Sequence, residues 1–495
     1  MAKKPNIILI FTDNQQAETL GCYGNREIHT PHLDALSAGG VTFDNAFCPN
    51  AFCSPCRASV LTGMLPSQHG VHAWLDDRRS HEWPDGWHAL EGLQTLPTRL
   101  KDEGYSTALV GKYHLGESHT AAAGFDHWVT LKDGHVRSFY NNQIFDNGDT
   151  NTQEGHSVDF FTDKAKDFIG AQAKSDDPFF LFLPYPAPYG HWPATKEAVD
   201  CRHTERYKDC PMDSIPRRGL SKAAVDGFLN NRAWSSKEMD LSMLMRAPND
   251  LATMRNYYAQ ISMVDDGVGA IMQSLEEHGI AEDTLLIFTT DHGLSVGHHG
   301  FWGHGGACFP SNLHRAAHSI PLIARQKGQT GEGLRSNTMV SNMDLFATIL
   351  AHAGADTPDG LPSRDLSPLF TGDAPLDWGD DVVFSEQEET RVVRTLKWAL
   401  FKRFDHPNND GIGDELYDVE VDPSETENLS GDPAFADVEK TLGDMMTAFF
   451  AKHADAKSDP WQGGVPLQNS IRQPFWRGIW GEDWAPVYRY EDGAE

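Results

Sequence analysis

The stretch Cys53-Ser-Pro-Cys56-Arg57-Ala-Ser-Val-Leu-Thr-Gly63 places a thiol, a proline and an arginine close together. Pro55 suits the first turn of a helix. A helix that begins right after Cys53 would turn its free N–H groups toward the Cys53 side. Helix N-termini attract anions, and Arg57 adds a fixed cation one turn on. A nucleophile at position 53 would therefore meet an anionic substrate. Asp13-Asn14 and Asp291-His292 form a second constellation. Two carboxylates with amide and imidazole partners offer a site for a divalent cation. Gly111-Lys112-Tyr113-His114-Leu115-Gly116 supplies a third group, with an ammonium and an imidazole. Taken singly, each has a blander use: a buried structural thiol, Asp residues capping turns, a solvated Lys and His. Cys53-x-x-Cys56 also has redox or zinc spacing, although no second Cys pair at zinc-ribbon spacing accompanies it.

The elements that must hold these groups are readable. Apolar runs at 7–11, 107–110, 179–183 and 285–288 each end abruptly in polar residues: Asp13-Asn14, Lys112 and His114, Pro184 with His191 in the following loop, and Asp291-His292. Runs of this length bounded by turn signals suit buried parallel strands. Between them, Met254, Tyr258, Ile261, Val264, Val268, Ile271 and Leu275 follow the spacing of one apolar helix face. Strands alternating with helices predict an α/β fold. Ligands in such folds bind beyond the carboxyl ends of the strands, so the four polar clusters are expected to meet at one edge of one sheet.

The chain of 495 residues is expected to form a large domain over 1–375 and a small α+β domain over 376–460. The latter rests on short strands near 382–384, 392–394 and 398–401 and a helix over 435–450. Residues 194–250, polar and weakly periodic, predict an insertion over the active-site edge. The tail 461–495 carries Trp476, Trp480, Trp484, Tyr488 and Tyr490, which are expected to pack onto the chain's own body or a twin subunit in a homo-oligomer. Asp plus Glu exceed Lys plus Arg by 71 to 41, giving a net charge of −30. Such a surface repels phosphate backbones, which excludes a nucleic-acid partner; a saline habitat accounts for the acidity equally well. The N-terminal apolar run is too short for a signal peptide. No run approaches the roughly 18 apolar residues of a membrane span. No membrane partner is expected, and the cytoplasm is the expected location. Seven cysteines argue against a full disulfide framework, with a Cys201–Cys210 bridge left open.

The Cys-x-Pro-x-Arg string with its Leu-Thr-Gly, the stretch from Thr30 to Phe43 and the Gly-Lys-Tyr-His-Leu-Gly hexamer resemble the sulfatase family. So does the pattern around Glu415-Leu-Tyr-Asp418 and Asp422-Pro-Ser-Glu-Thr-Glu-Asn428, which reads as a turn-rich hairpin without chemistry. The resemblance runs from about residue 5 to 430. It implies an alkaline-phosphatase-like α/β fold, with a large mixed, mostly parallel sheet flanked by helices and a smaller C-terminal α+β domain. It implies hydrolysis of a sulfate monoester, such as a sulfated sugar or an alkyl or aryl sulfate. A formylglycine-generating enzyme would first oxidise Cys53. Hydrated formylglycine is a geminal diol; one oxygen would attack sulfur to form a covalent sulfate ester, and the other would lose its proton and expel sulfate.

The resemblance also assigns roles. Arg57 would hold and polarise the nucleophile. Asp13, Asn14, Asp291, His292 and residue 53 would hold one divalent cation. Calcium is the family's usual metal, with magnesium and manganese left open by the reduced carboxylate count. Lys112 would grip the transferring group, and His114 would assist release. Four positions depart from the pattern. Asn14 replaces an Asp, and Cys56 stands where Ser or Ala is usual. Tyr189 holds a His position, leaving the nearby His191 as the leaving-group acid with Tyr189 as its substitute. His304 replaces a Lys in Gly297-His-His-Gly-Phe-Trp-Gly-His304, so activity is expected to vary between about pH 5 and 8, where imidazole titrates. The competing readings are a phosphonate monoester or phosphodiester hydrolase with the same nucleophile, a non-catalytic ligand-binding relative, and a thiol redox protein using Cys53 and Cys56.

Overall fold

The computed structural model describes residues 4–190, 199–217, 249–300, 302–307, 309–372, 381–407, 413–468 and 471–490. His191 and most of the 194–250 segment therefore lie outside the described residues. Among the described residues ten strands form one sheet: β1 (Asn6–Asp13), β2 (Val41–Phe47), β3 (Ser106–Gly111), β4 (His127–Leu131), β5 (Gln143–Asp146), β6 (Asp149–Thr152), β7 (Phe179–Pro188), β8 (Thr284–Thr290), β9 (Leu322–Gln326) and β10 (Leu334–Ser341). Their order is β10-β2-β9-β8-β1-β7-β3-β4-β5-β6. The central block β8-β1-β7-β3-β4 is wholly parallel. β9 joins β8 and β2 antiparallel, and β4, β5 and β6 pair antiparallel at the far edge.

The four apolar runs read from the sequence are β1, β3, β7 and β8, neighbours in this block. β1, β7 and β8 are buried at every position, as continuous apolar strands covered on both faces should be. Alternation along β1 sends Ile7, Leu9 and Phe11 to one core and Ile8 and Ile10 to the other. On the first face packs α1 (Cys53–Thr62). On the second pack α2 (Ser157–Gln172) and α3 (Leu251–Glu277). The seven apolar positions expected on one face of α3 are all buried, and the Asp250 carboxylate caps its start by accepting from the Ala252 N–H.

A second, antiparallel sheet runs β11 (Val382–Gln387), β12 (Thr390–Thr395), β13 (Trp398–Arg403), β14 (Glu415–Asp418). It is covered by α4 (Ala436–His453), whose Leu442, Met446 and Phe450 meet Val393, Leu400 and Leu416. The tail packs on the chain's own body. Phe475, Trp476 and Trp484 cluster with Phe309 and Phe404, and the Trp87 indole N–H donates to the Tyr488 carbonyl at 2.7 Å. Among the tail's tryptophans and tyrosines named above, only Trp480 is exposed. Cys201 and Cys210 are free thiols, so the open bridge is absent. Among the described residues no helix is long and apolar enough to cross a membrane.

Candidate active site

The carboxyl ends of β1, β3, β7 and β8 converge, and α1 points its first turn at them. Cys53 is the first residue of α1, preceded by Phe52 in extended conformation, and is 4% exposed. Its Sγ lies 3.5 Å from Asp13 Oδ1 and 3.5 Å from His292 Nε2. The helix starts one residue earlier than Pro55 alone suggested, which places Cys53 itself on the first turn. Burial, then the Asp13 carboxylate, pushes the Cys53 thiol well above its usual pKa. The side chain is therefore inert as a plain thiol. Cys56 is pushed up by burial in the same way, and its Sγ is held by Asn342. Both facts weigh against a redox pair.

Four buried charges knit the site together. The Arg57 guanidinium donates to Asp291 Oδ2 at 2.9 Å, to Asp13 Oδ2 at 3.3 Å and to the Lys112 carbonyl at 2.8 Å. Lys112 Nζ donates to Asp13 Oδ2 at 2.5 Å. Burial alone would lower the Lys112 pKa, but Asp13, with Cys53 and Asp291, outweighs it and holds the ammonium above its usual range. Burial would raise Asp291; His292, Arg57 and Lys112 overcome this and hold it below. Arg57 thus orients the two carboxylates, a contact that the sequence did not reveal.

The backbone that delivers Lys112 leaves no room for a side chain at Gly111. Its φ is 141°, and an added Cβ would sit 2.1 Å from the Pro184 carbonyl oxygen, which also accepts the Lys112 N–H at 2.7 Å. Gly111→Ala is expected to cost about 3 kcal/mol through strain and overpacking, read from urea unfolding midpoints. An unchanged midpoint would show that β3 and β7 can part here at no cost.

The donors fit a divalent cation. Asp13, Cys53, Asp291 and His292 each offer a ligand atom within 4.8 Å of one another, and all four are buried. His292 Nδ1 lies 2.8 Å from the Gly293 carbonyl oxygen. A carbonyl only accepts, so Nδ1 carries the hydrogen and the Nε2 lone pair faces Cys53. Asn14, at φ 61°, donates its N–H to Asp291 Oδ1 at 3.1 Å, while both atoms of its buried side-chain amide have no partner among the described residues. An orphaned buried amide beside two carboxylates and an imidazole lone pair suits an oxygen ligand to a metal.

His114 Nε2 donates to the Leu75 carbonyl at 2.9 Å, and its buried Nδ1 has no partner among the described residues. Burial, then Lys112 and Arg57, lowers its pKa well below the usual range. It is therefore a neutral imidazole with a lone pair to offer. The Leu75 N–H in turn bonds Ser54 Oγ at 3.0 Å, tying this loop to the start of α1. The His304 ring sits 4.7 Å from His292 and 5.1 Å from Phe52, so it borders the cation ligands. Tyr189 directly follows β7, its N–H on the Asp13 carbonyl and its ring 5.2 Å from Lys112 Nζ. Its hydroxyl meets His135 Nε2 at 3.1 Å. His135 lies in a turn without periodicity, and no signal in the sequence singled it out. In the insertion, the described Pro216 carbonyl approaches Gly297 of the loop that follows Asp291.

The Sulfatase family model matches residues 5–355, and the model for the C-terminal part of N-sulphoglucosamine sulphohydrolase matches 310–452. The chain belongs to the sulfatase family, whose members are sulfuric ester hydrolases that generally use a metal and formylglycine. It is 25% identical to the N-acetylglucosamine-6-O-sulfatase of Bacteroides thetaiotaomicron over 92% of this chain and 88% of that one. A solved structure in complex with its substrate D-glucosamine-2-N,6-O-disulfate shares the fold with a TM-score of 0.73 at 23% identity, covering 92% of this chain and 99% of that one. The phosphonate monoester hydrolase of Agrobacterium radiobacter shares it with a TM-score of 0.65 at 20% identity, over 91% and 96%.

Proposed function

We propose that this sulfatase hydrolyses a sulfate monoester of a sugar. The observation that carries the reading is Cys53 on the buried first turn of α1, set between Asp13 and His292 with Arg57 and Lys112 beside it. Its relatives named for N-acetylglucosamine 6-sulfate and N-sulphoglucosamine support a sugar as the organic half. Position 53, once converted by a formylglycine-generating enzyme, supplies a diol with one hydroxyl to attack sulfur and one to release sulfate.

The remaining residues prepare that chemistry. The first turn of α1 and Lys112 present positive charge to the sulfate oxygens, fixed in place before substrate arrives. The His114 Nδ1 lone pair accepts the proton that must leave for sulfate release. Asp13, Asn14, Asp291 and His292 hold one divalent cation, which supplies Lewis-acid stabilisation of negative charge. Calcium is the family's usual ion; an imidazole and a neutral amide in the set reduce the preference for it over manganese or magnesium. His304, beside His292, contacts the transferring group together with Lys112.

A second reading, phosphonate monoester hydrolysis, gains from His304 standing at the family's second lysine and from the likeness to the Agrobacterium structure. A panel on the converted enzyme separates them. Glucosamine sulfates are expected to outrun an aryl phosphonate by at least about 100-fold in kcat/KM, a gap of roughly 2.7 kcal/mol in transition-state binding. The reverse order would make the phosphonate reading the better one.

A further inference from the structure

A basic leaving alcohol needs a proton as its bond to sulfur breaks, whereas a weakly basic phenol needs little help. Tyr189 stands where the family's histidine was expected, and its surroundings suit that task. The phenol is 4% exposed, between the end of β1 and Lys112. Its hydroxyl is 3.1 Å from His135 Nε2. His135 Nδ1 lies 2.9 Å from the Val136 carbonyl oxygen, so Nδ1 carries the hydrogen and Nε2 faces the phenol. His135 also lines a cavity of about 550 Å³ with Leu131, Asp133, Arg137, Tyr140 and Asn142, a space of mixed lining wide enough for water. A single imidazole thus joins a buried phenol at the reacting edge to a cavity with room for water.

We propose that Tyr189 protonates the leaving oxygen and that His135 resupplies Tyr189 from this cavity; the assignment rests on the sulfate-ester reading. As the bond from sulfur to the organic oxygen breaks, its electron pair stays on that oxygen, which takes the phenolic proton. The phenolate takes the Nε2 proton of a His135 imidazolium formed by uptake of a solvent proton in the cavity. The neutral imidazole that remains, with its Nδ1 hydrogen on Val136, is the form seen in the structure. Burial, with Lys112, His114 and Arg137, holds the His135 pKa well below the usual range, so the imidazolium gives up its proton readily.

The test compares two sulfate esters on the converted enzyme, a sugar sulfate and 4-nitrophenyl sulfate. Tyr189→Phe is expected to lower kcat/KM on the sugar ester by about 10²–10³-fold and on the aryl ester by at least about tenfold less. His135→Gln is expected to show the same ordering, and added imidazole to restore part of the sugar-ester activity of His135→Ala. Equal losses on both esters, at wild-type melting temperature and formylglycine content, would overturn the relay and leave Tyr189 and His135 as packing. Should the His135 variants not fold, the Tyr189→Phe comparison decides alone. A wild-type enzyme that cleaves only phosphonates overturns the sulfate reading separately, and the same aryl-to-alkyl comparison on phosphonates then decides the relay.

Discussion

Cys53→Ala is expected to lower kcat/KM by at least about 10⁴-fold, the scale on which a covalent nucleophile is felt, while moving the melting temperature by only about 2 °C. The small structural effect follows from what the thiol does in the fold. Its Sγ makes two long contacts, 3.5 Å each, to Asp13 and His292, and the pairs among Asp13, Arg57, Lys112 and Asp291 persist without it. The large kinetic effect follows from burial. A thiol held protonated by its surroundings is no better than a methyl group as a nucleophile. The unconverted wild-type protein should therefore be as inactive as the alanine variant, and activity should track the converted fraction read by intact mass with and without the formylglycine-generating enzyme. Full activity in unconverted protein would sink the formylglycine reading and restore the thiol as the reacting group. Complete conversion with no activity on any ester would favour a ligand-binding relative.

The positions that reach the site along a strand were legible in the sequence. Buried parallel strands are continuous apolar runs, so the polar residues that end them stand out, and Asp13, Lys112 and Asp291 were found this way. The α3 face was legible for the same reason, since its periodicity records what it packs against. The order in which the strands pair has no such local signature. No local pattern places β1 between β7 and β8, or makes β9 enter antiparallel. The edge strands β5 and β6 are only four residues each, and β6 is exposed throughout, so they leave no pattern. Contacts that set chemistry across loops were also invisible. The free lone pair of His114 depends on the carbonyl of Leu75, and the partner of Tyr189 lies 54 residues earlier in a turn. Resemblance marked residues 114 and 189 as positions of interest, but only tertiary structure gives the hydrogen-bond directions that assign proton donor and acceptor.

Asp13→Asn is expected to produce the second large loss, at least about 10³-fold in kcat/KM, a scale typical of lost electrostatic preorganisation. Asp13 serves Lys112 at 2.5 Å, Arg57 at 3.3 Å and Cys53 at 3.5 Å with one fully buried carboxylate. The amide keeps the shape and removes the charge. Two effects should separate in experiment. The cation site keeps Asp291 as its one carboxylate, so elemental analysis should show one divalent ion per wild-type chain and close to none in the variant. Lys112 loses the strongest of the attractions that together offset its burial, so its folded pKa should fall below the unfolded value of about 10.4. In the wild type the raised Lys112 pKa adds stability that is fully present below the unfolded pKa and is lost only as pH rises through the folded one. In the variant the sign reverses, because the unfolded chain then binds the extra proton. With the metal chelated in both proteins, the variant should be about 3–5 kcal/mol less stable at neutral pH, and the deficit should shrink as pH rises toward 10. A deficit that does not change with pH would show that Lys112 keeps its charge without Asp13. The lost activity would then belong to the cation alone, because the ammonium that faces the sulfate would still be in place.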